Sequence, residues 1–418
     1  MIAREKIIRR AFWQRHRFLA VWGPGLLVML ADTDAGCLIT AAQSGAQWGY
    51  TMVLPQLVLI PVLFMAQEMT VRLGIITQEG HGALIRQYFG RGWAWLAAIT
   101  LGISAVGALL TEFIGIAGVG ELFGVSKWIT IPIATIFLVS LAFLGEYRRV
   151  EKIGVLVGLA EFVFIIAMFM ARPQLSDLLQ GLVTIPWHNR SYVYLVAANV
   201  GAVIMPWMLF YQQGAVIDKH LTPADIPQER RDTAVGTLVT QGIMIVFIVT
   251  FAATVGQHGG SEAFATVGQM ANALAPFLGR LPANLLIGMS LFGGSMVAAL
   301  VVALAGTWGL TEVLGWPHSL NEPFNRKSAG FYLIYIGAHV IGAVLVLANI
   351  QLVDLAVTVE VINALLVPIV LGFLLLLEAK ALPDRYRMHG WYRFAATSLC
   401  LLVMMFGLYM VGPILHLW

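Results

Sequence analysis

Charge is scarce in this sequence. Asp, Glu, Lys and Arg make up 11% of its 418 residues, against 59% hydrophobic, where soluble domains carry about 25% charged residues. That scarcity excludes a soluble core. Cysteine is nearly absent too: Cys37 and Cys400 stand far apart, and neither belongs to a CxxC pattern, which argues against a disulfide framework and a structural zinc site. No HExxH occurs, and no Ser/His or paired-His arrangement lies within an apolar run, so an intramembrane enzyme would have no catalytic constellation to use. The apolar runs do not alternate in segments of about ten residues, as a transmembrane barrel would require. Neither a nucleic-acid partner nor a resident cofactor is expected.

What remains is a series of apolar segments long enough to cross a bilayer as helices, about 20 residues each. Eleven spans are predicted, near 20–45, 51–72, 92–121, 128–145, 152–171, 191–214, 232–256, 283–310, 330–349, 352–378 and 391–416. Residues 1–418 thus read as one all-α polytopic membrane domain, preceded by a basic segment over 1–19. Positive residues follow the even-numbered spans (Arg72, Arg86, Arg148, Arg149, Lys219, Arg230, Arg326, Lys380), while the opposite loops carry only scattered Lys127, Arg172 and Arg280. The positive-inside rule therefore places the N-terminus in the cytoplasm and the C-terminus outside, in a cell membrane. A monomer in the lipid bilayer is expected.

Two spans are interrupted. The first contains "LADTDAGCLI" (30–39), with Asp32 and Asp34 at its middle; the sixth reads "YLVAANVGAVIMPWMLFYQQ", where Gly201 and Pro206 bracket a stretch expected to unwind near Ala202–Pro206. These spans open two consecutive five-span units, 20–171 and 191–378, with 391–416 as an extra helix. Interruptions at matching places of two halves point to a transporter's binding site at the bilayer midplane. An ionised Asp at that depth costs at least about 2.5–3.5 kcal/mol. With no Lys or Arg at mid-span, a bound cation is its natural partner. Asp34 offers a hard oxygen, a carbonyl freed near Ala202 another, and Met205 a thioether that favours transition metals.

These residues resemble the Nramp family of divalent-metal transporters, which share the LeuT-type inverted-repeat fold with broken first and sixth helices. "GPGLLVMLADTDAGCLITAAQSGAQWGY" (Gly23–Tyr50) follows the family's first-span frame, with Asp34 and Gly36 on its Asp and Gly, Ala35 for its Pro and Cys37 for its Asn. The sixth-span A-x-x-M-P is intact as Ala202, Met205 and Pro206. "RLGIITQEGHGALIRQYFG", "TEFIG", "VEKIG" and "RRDTAVGTLV" continue the match in order along most of the chain. The resemblance implies that Asp34, the Ala202 carbonyl, Met205 and the residue at position 37 contact the metal. Ala35, Gly36, Gly201 and Pro206 are expected as hinges.

The departures concern protons and acidity. Proton-coupled members carry two histidines in the sixth span and an Asp–Glu pair in the third. Here Trp207 and Gln212 replace the histidines, and Leu109 precedes the retained Glu112. Trp, Gln and Leu cannot relay protons, so coupling is expected to be weak or absent. Acid is gained at Asp32, and at Asp354 and Glu360 in the tenth span. Added carboxylate without a thiolate or His cluster suits a hard hydrated ion such as Mg2+. The pattern is similar to the Nramp-related magnesium transporters, with Mn2+ also carried. Alternatives are a proton-coupled Mn2+/Fe2+ transporter, a sodium-coupled organic-solute carrier of the same superfold, and a channel. Saturable metal uptake insensitive to sodium would separate the divalent-cation carrier from the sodium-coupled one. His339, Glu68 and Glu161 read as structural, Trp308 and Trp316 as interface anchors, and 257–282 (with His258 and Glu262) as an external surface loop.

Overall fold

The computed structural model describes residues 23–143, 147–258, 264, 266–317, 319–321, 324–348 and 352–414. The basic segment 1–19 and Glu262 lie outside the described residues, as do the side chains of His258 and Asp354. Among the described residues there is no strand. The helices are α1 (Pro24–Asp32), α2 (Ala35–Trp48), α3 (Val53–Thr77), α4 (His81–Phe89), α5 (Arg91–Leu122), α6 (Lys127–Ala142), α7 (Tyr147–Gly158), α8 (Phe164–Ala171) and α9 (Leu175–Val183). They continue as α10 (Arg190–Val203), α11 (Pro206–Asp218), α12 (Ile226–Ala253), α13 (Val267–Leu278), α14 (Arg280–Leu314), α15 (Ala329–Leu347), α16 (Leu352–Ala381), α17 (Gly390–Tyr409) and α18 (Val411–Ile414).

The eleven expected spans fall on α1–α2, α3, α5, α6, α7–α8, α10–α11, α12, α14, α15, α16 and α17. By length and composition nine helical segments among the described residues can cross a membrane, because α2 and α3 run on as one segment and α6 is shorter than the rest. The first and sixth spans are the broken ones. α1 stops at Asp32, Thr33 and Asp34 are non-helical, and Asp34 then caps α2 by accepting from the Cys37 N–H at 2.7 Å. α10 stops at Val203, Ile204 and Met205 are non-helical with Met205 extended, and α11 starts on Pro206, where the missing N–H costs nothing.

Both breaks lie in the interior. α10 packs along α16, α12 along α1, α2 and α3, and α14 along α5. Between α7 and α8 the fifth span tightens into a 3-10 turn over Leu159–Val163, which rests on α14. Two expectations are corrected. Trp308 is no interface anchor: it is fully buried against Tyr147 and Tyr211, whereas Trp316 is exposed. The stretch 257–282 is no plain loop, since it contains α13, whose Met270, Ala271 and Leu274 are buried against the bundle. Its apolar residues recur at helical spacing, which loop composition had masked.

The start of α1 is tied to the seventh span by one carboxylate. Asp232 Oδ2 accepts from the backbone N–H groups of Gly23, Gly25 and Leu26 at 3.3, 2.8 and 3.2 Å, satisfying donors that a helix N-terminus leaves free and complementing its dipole. Close by, Lys219 pairs with Glu151 at 3.0 Å, both largely buried. Asp232→Ala, which strands those amides, is expected to destabilise the purified protein by about 1–3 kcal/mol. Asp232→Asn, which keeps one acceptor oxygen, should cost less. Thermal unfolding in detergent checks both; equal stability of wild type and Asp232→Ala would remove this anchor.

Candidate metal centre

The two breaks face α16, and three ligand-type side chains meet there. One carboxylate oxygen of Asp34, the Cys37 sulfur and one carboxylate oxygen of Glu360 all lie within 4.8 Å of one another, and all three residues are buried. Each position follows from local structure. Asp34 is held by its capping bond, which uses Oδ1 and leaves Oδ2 without a hydrogen-bond partner. Glu360 accepts from Asn363 Nδ2 at 3.1 Å through Oε2, one turn along α16, leaving Oε1 without a partner. Cys37, one turn into α2, donates its thiol to the Ala202 carbonyl at 3.0 Å, bridging the first break to the end of α10.

Two orphaned carboxylate oxygens in a buried space are a costly arrangement unless something positive joins them. No ion pair to Lys or Arg is found for Asp32, Asp34, Glu112, Glu161 or Glu360 among the described residues. The C-terminal ends of α1 and α10 add unpaired carbonyls and the negative ends of two helix dipoles. This set fits a cation held by hard oxygen.

Glycine lets α16 come this close. A Cβ on Gly36 would run into Glu360 Oε1, and one on Gly201 into the Glu360 backbone carbonyl. Ala35, Gly36 and Gly201, expected as hinges, are helical here and border the bends at Thr33–Asp34 and Ile204–Met205. Close contact across helices gives both glycines a packing role. Pro206 does stand at the edge of its break.

The remaining expected site residues are dispersed. Met205 Sδ accepts from the Trp207 indole N–H at 3.1 Å, so the thioether is engaged by a neighbour two residues on. Asp32 sits outside the three-residue cluster; its Oδ2 accepts from the Thr240 hydroxyl of α12 at 3.3 Å and its Oδ1 has no partner. Asp354 belongs to α16, its side chain outside the described part. Glu112 accepts from the Ala35 N–H at 3.2 Å, directly behind Asp34. Leu109 is buried, and Gln212 contacts Glu229 of α12 at 3.5 Å. His339 is a packed histidine as expected, bonded to the Tyr335 carbonyl at 2.9 Å. Sequence reasoning missed Thr33, Asn363 and Thr240. None carries a signal in sequence, because each acts through a neighbour reached only by folding.

Known proteins give independent bearings. The family model described as natural resistance-associated macrophage protein-like matches residues 25–412. The divalent metal cation transporter MntH of Staphylococcus aureus (strain JH9) is 32% identical over 210 residues, covering 48% of this chain and 46% of that protein; the match thus spans about half the length of such curated relatives. A solved manganese transporter of Eremococcus coleocola superposes with a TM-score of 0.74 at 17% identity, over 96% of this chain and 87% of that one. A Na+-coupled sialic acid symporter gives 0.62 at 14%, over 94% and 90%. At these identities the structures establish the fold alone.

The two glycines should respond differently to alanine. Gly36→Ala meets the end of the Glu360 side chain first, with Asp34 Oδ1 and Thr111 Oγ1 tight beside it, and should weaken metal binding by about tenfold or more while the protein stays folded. Gly201→Ala meets backbone and should cost about 1–3 kcal/mol of stability. Metal titration and thermal unfolding of both variants check this; unchanged metal affinity in Gly36→Ala would take Glu360 out of the site.

Proposed function

The chain belongs to the Nramp family, and from that premise we propose that it carries divalent metal cations through a cell membrane by alternating access around the breaks of its first and sixth spans, with Mg2+ the principal substrate and Mn2+ also accepted. The observation that carries this reading is the buried Asp34–Cys37–Glu360 cluster with two carboxylate oxygens lacking protein partners. Two carboxylates match the charge of one divalent ion. The printed names of relatives, a divalent metal cation transporter and a manganese transporter, point to the same substrate class.

The donor set favours a hard ion within that class. Cys37 is a hydrogen-bond donor to Ala202, hence a neutral thiol, whereas the thiolate is the form that ligates metal. Met205 has its sulfur engaged by Trp207. The carboxylates and carbonyls left over suit Mg2+, which keeps part of its water shell. Proton coupling is weak or absent on this reading, because Leu109, Trp207 and Gln212 offer nothing titratable. One observation favours the second reading, a proton-coupled Mn2+/Fe2+ transporter: the Glu112 carboxylate stands at the Ala35 N–H, next to the proposed ligand Asp34. The division into units 20–171 and 191–378, the cytoplasmic N-terminus, the external C-terminus and the monomeric state belong to the same proposal.

Proteoliposomes reporting interior Mg2+, Mn2+ and pH test it. Mg2+ uptake without acidification is expected; Mn2+ uptake with acidification and no Mg2+ signal would establish the second reading. Asp34→Ala should abolish uptake in a folded protein. Trp207→Phe, which releases the Met205 sulfur, should shift competition towards Mn2+, and adding Met205→Ala to that variant should reverse the shift. Unchanged competition in Trp207→Phe would remove Met205 as a determinant of selectivity.

A further inference from the structure

Between α3, α10 and α17 the outer surface of the bundle opens into an apolar groove of about 380 Å3. Val196 and Val200 of α10 form a buried floor, whereas Val58 of α3 and Leu402 of α17 stand exposed at its rim. Every lining residue is apolar or aromatic, and the one hydroxyl among them, on Tyr192, donates to the Thr51 carbonyl at 3.4 Å. Trp187 lines the groove as well, set edge-on to Tyr192 with ring centroids 6.0 Å apart. Such an aromatic pair marks the headgroup level of a membrane. The segment leading to Trp187 points to the same level. α9 is too short to span and carries Leu175, Leu179 and Val183 at i, i+4 and i+8, all three exposed. Its other face is held by protein: Gly181 is pressed against Tyr50, and Asp177 accepts from the Gln257 amide at 2.8 Å. A short helix with one bare apolar stripe lies in the membrane interface.

We propose that the groove between α3, α10 and α17 binds one acyl chain of an anionic phospholipid, whose headgroup lies against Arg190 at the level of Trp187 and Tyr192. Charge decides the headgroup. Arg172 precedes α9 and Arg190 opens α10; both are exposed, and neither has an ion pair among the described residues. No acid lies between Asp177 and Arg190 in the sequence, so nothing in that segment offsets the attraction of a basic side chain for an anionic lipid. The buried floor sets this place apart from plain lipid-facing surface, since a seated chain touches three helices at once. The start of the second span, the start of the sixth and the end of the eleventh meet there, on the side that the proposed orientation makes external. Val196 and Val200 belong to the half-helix that ends with the Ala202 carbonyl. Movement of α10 during alternating access would therefore reshape the groove, and lipid occupancy would favour one position of that half-helix.

The test is thermal unfolding of the purified full-length protein in detergent at low ionic strength, titrated with phosphatidylglycerol or with phosphatidylcholine of the same acyl chains. Phosphatidylglycerol is expected to raise the unfolding temperature saturably and at lower concentration than phosphatidylcholine. Asp34→Asn should respond as wild type does, so the outcome does not depend on the metal-transport reading. Val58→Trp, which fills the groove from its exposed rim, should lose the saturable shift with both lipids; Leu402→Trp fills it from the opposite rim and serves if Val58→Trp fails to fold. Arg190→Gln should keep the response to phosphatidylcholine while the half-saturating concentration of phosphatidylglycerol rises about fivefold, and added salt should have the same effect on wild type. Equal responses of wild type to the two lipids, no shift with either, a shift retained in the groove-filling variant, or an Arg190→Gln protein that still prefers phosphatidylglycerol as wild type does would overturn the proposal.

Discussion

Carboxylates placed at membrane depth without a cationic side chain are the constraint on which this molecule depends. Asp34 and Glu360 are fully buried, each with an oxygen that no protein donor reaches. Such groups persist where the surroundings hold them in place and a proton or a bound cation neutralises them. The surroundings do hold them: Asp34 caps α2, and Asn363 steadies Glu360 from the next turn of the same helix. Among the described residues no Lys or Arg supplies that charge, and the proposed function assigns it to a transported cation.

The same requirement explains the broken helices. A continuous first span would have used the carbonyls of its middle turn internally. Ending α1 at Asp32 and restarting at Ala35 frees carbonyls at one helix end and gives Asp34 a capping role at the next. The sixth span does likewise, with Pro206 starting α11 and the Ala202 carbonyl turned towards Cys37. Glycine completes the arrangement by contact: Gly36 and Gly201 let α16 bring Glu360 to the breaks, and Gly294 lets α14 approach Thr33.

The all-α architecture, the number of spans and the two breaks were legible in the sequence, because hydropathy, Pro206 and a mid-span Asp are local signals. Asp34, Cys37 and the Ala202 carbonyl were legible through motif position, and the structure brings them together. Glu360 was recognised as acid near the site, but its place beside Asp34 and Cys37 depends on α16 crossing two glycines, which no local pattern encodes. Met205 looked like a ligand in the motif, yet its sulfur is engaged by Trp207, two residues away across the turn that begins α11. Trp308 looked like an interface residue because tryptophans usually are; here Tyr147 and Tyr211 enclose it.

The most direct measurement is a crystal structure of the protein grown with Mn2+, read by anomalous scattering at the manganese edge. A single strong peak within coordination distance of Asp34 Oδ2 and Glu360 Oε1, beside the Ala202 carbonyl, is the result this account expects. A peak centred elsewhere, at Asp32 or at the surface, with Asp34 and Glu360 unchanged, would contradict it.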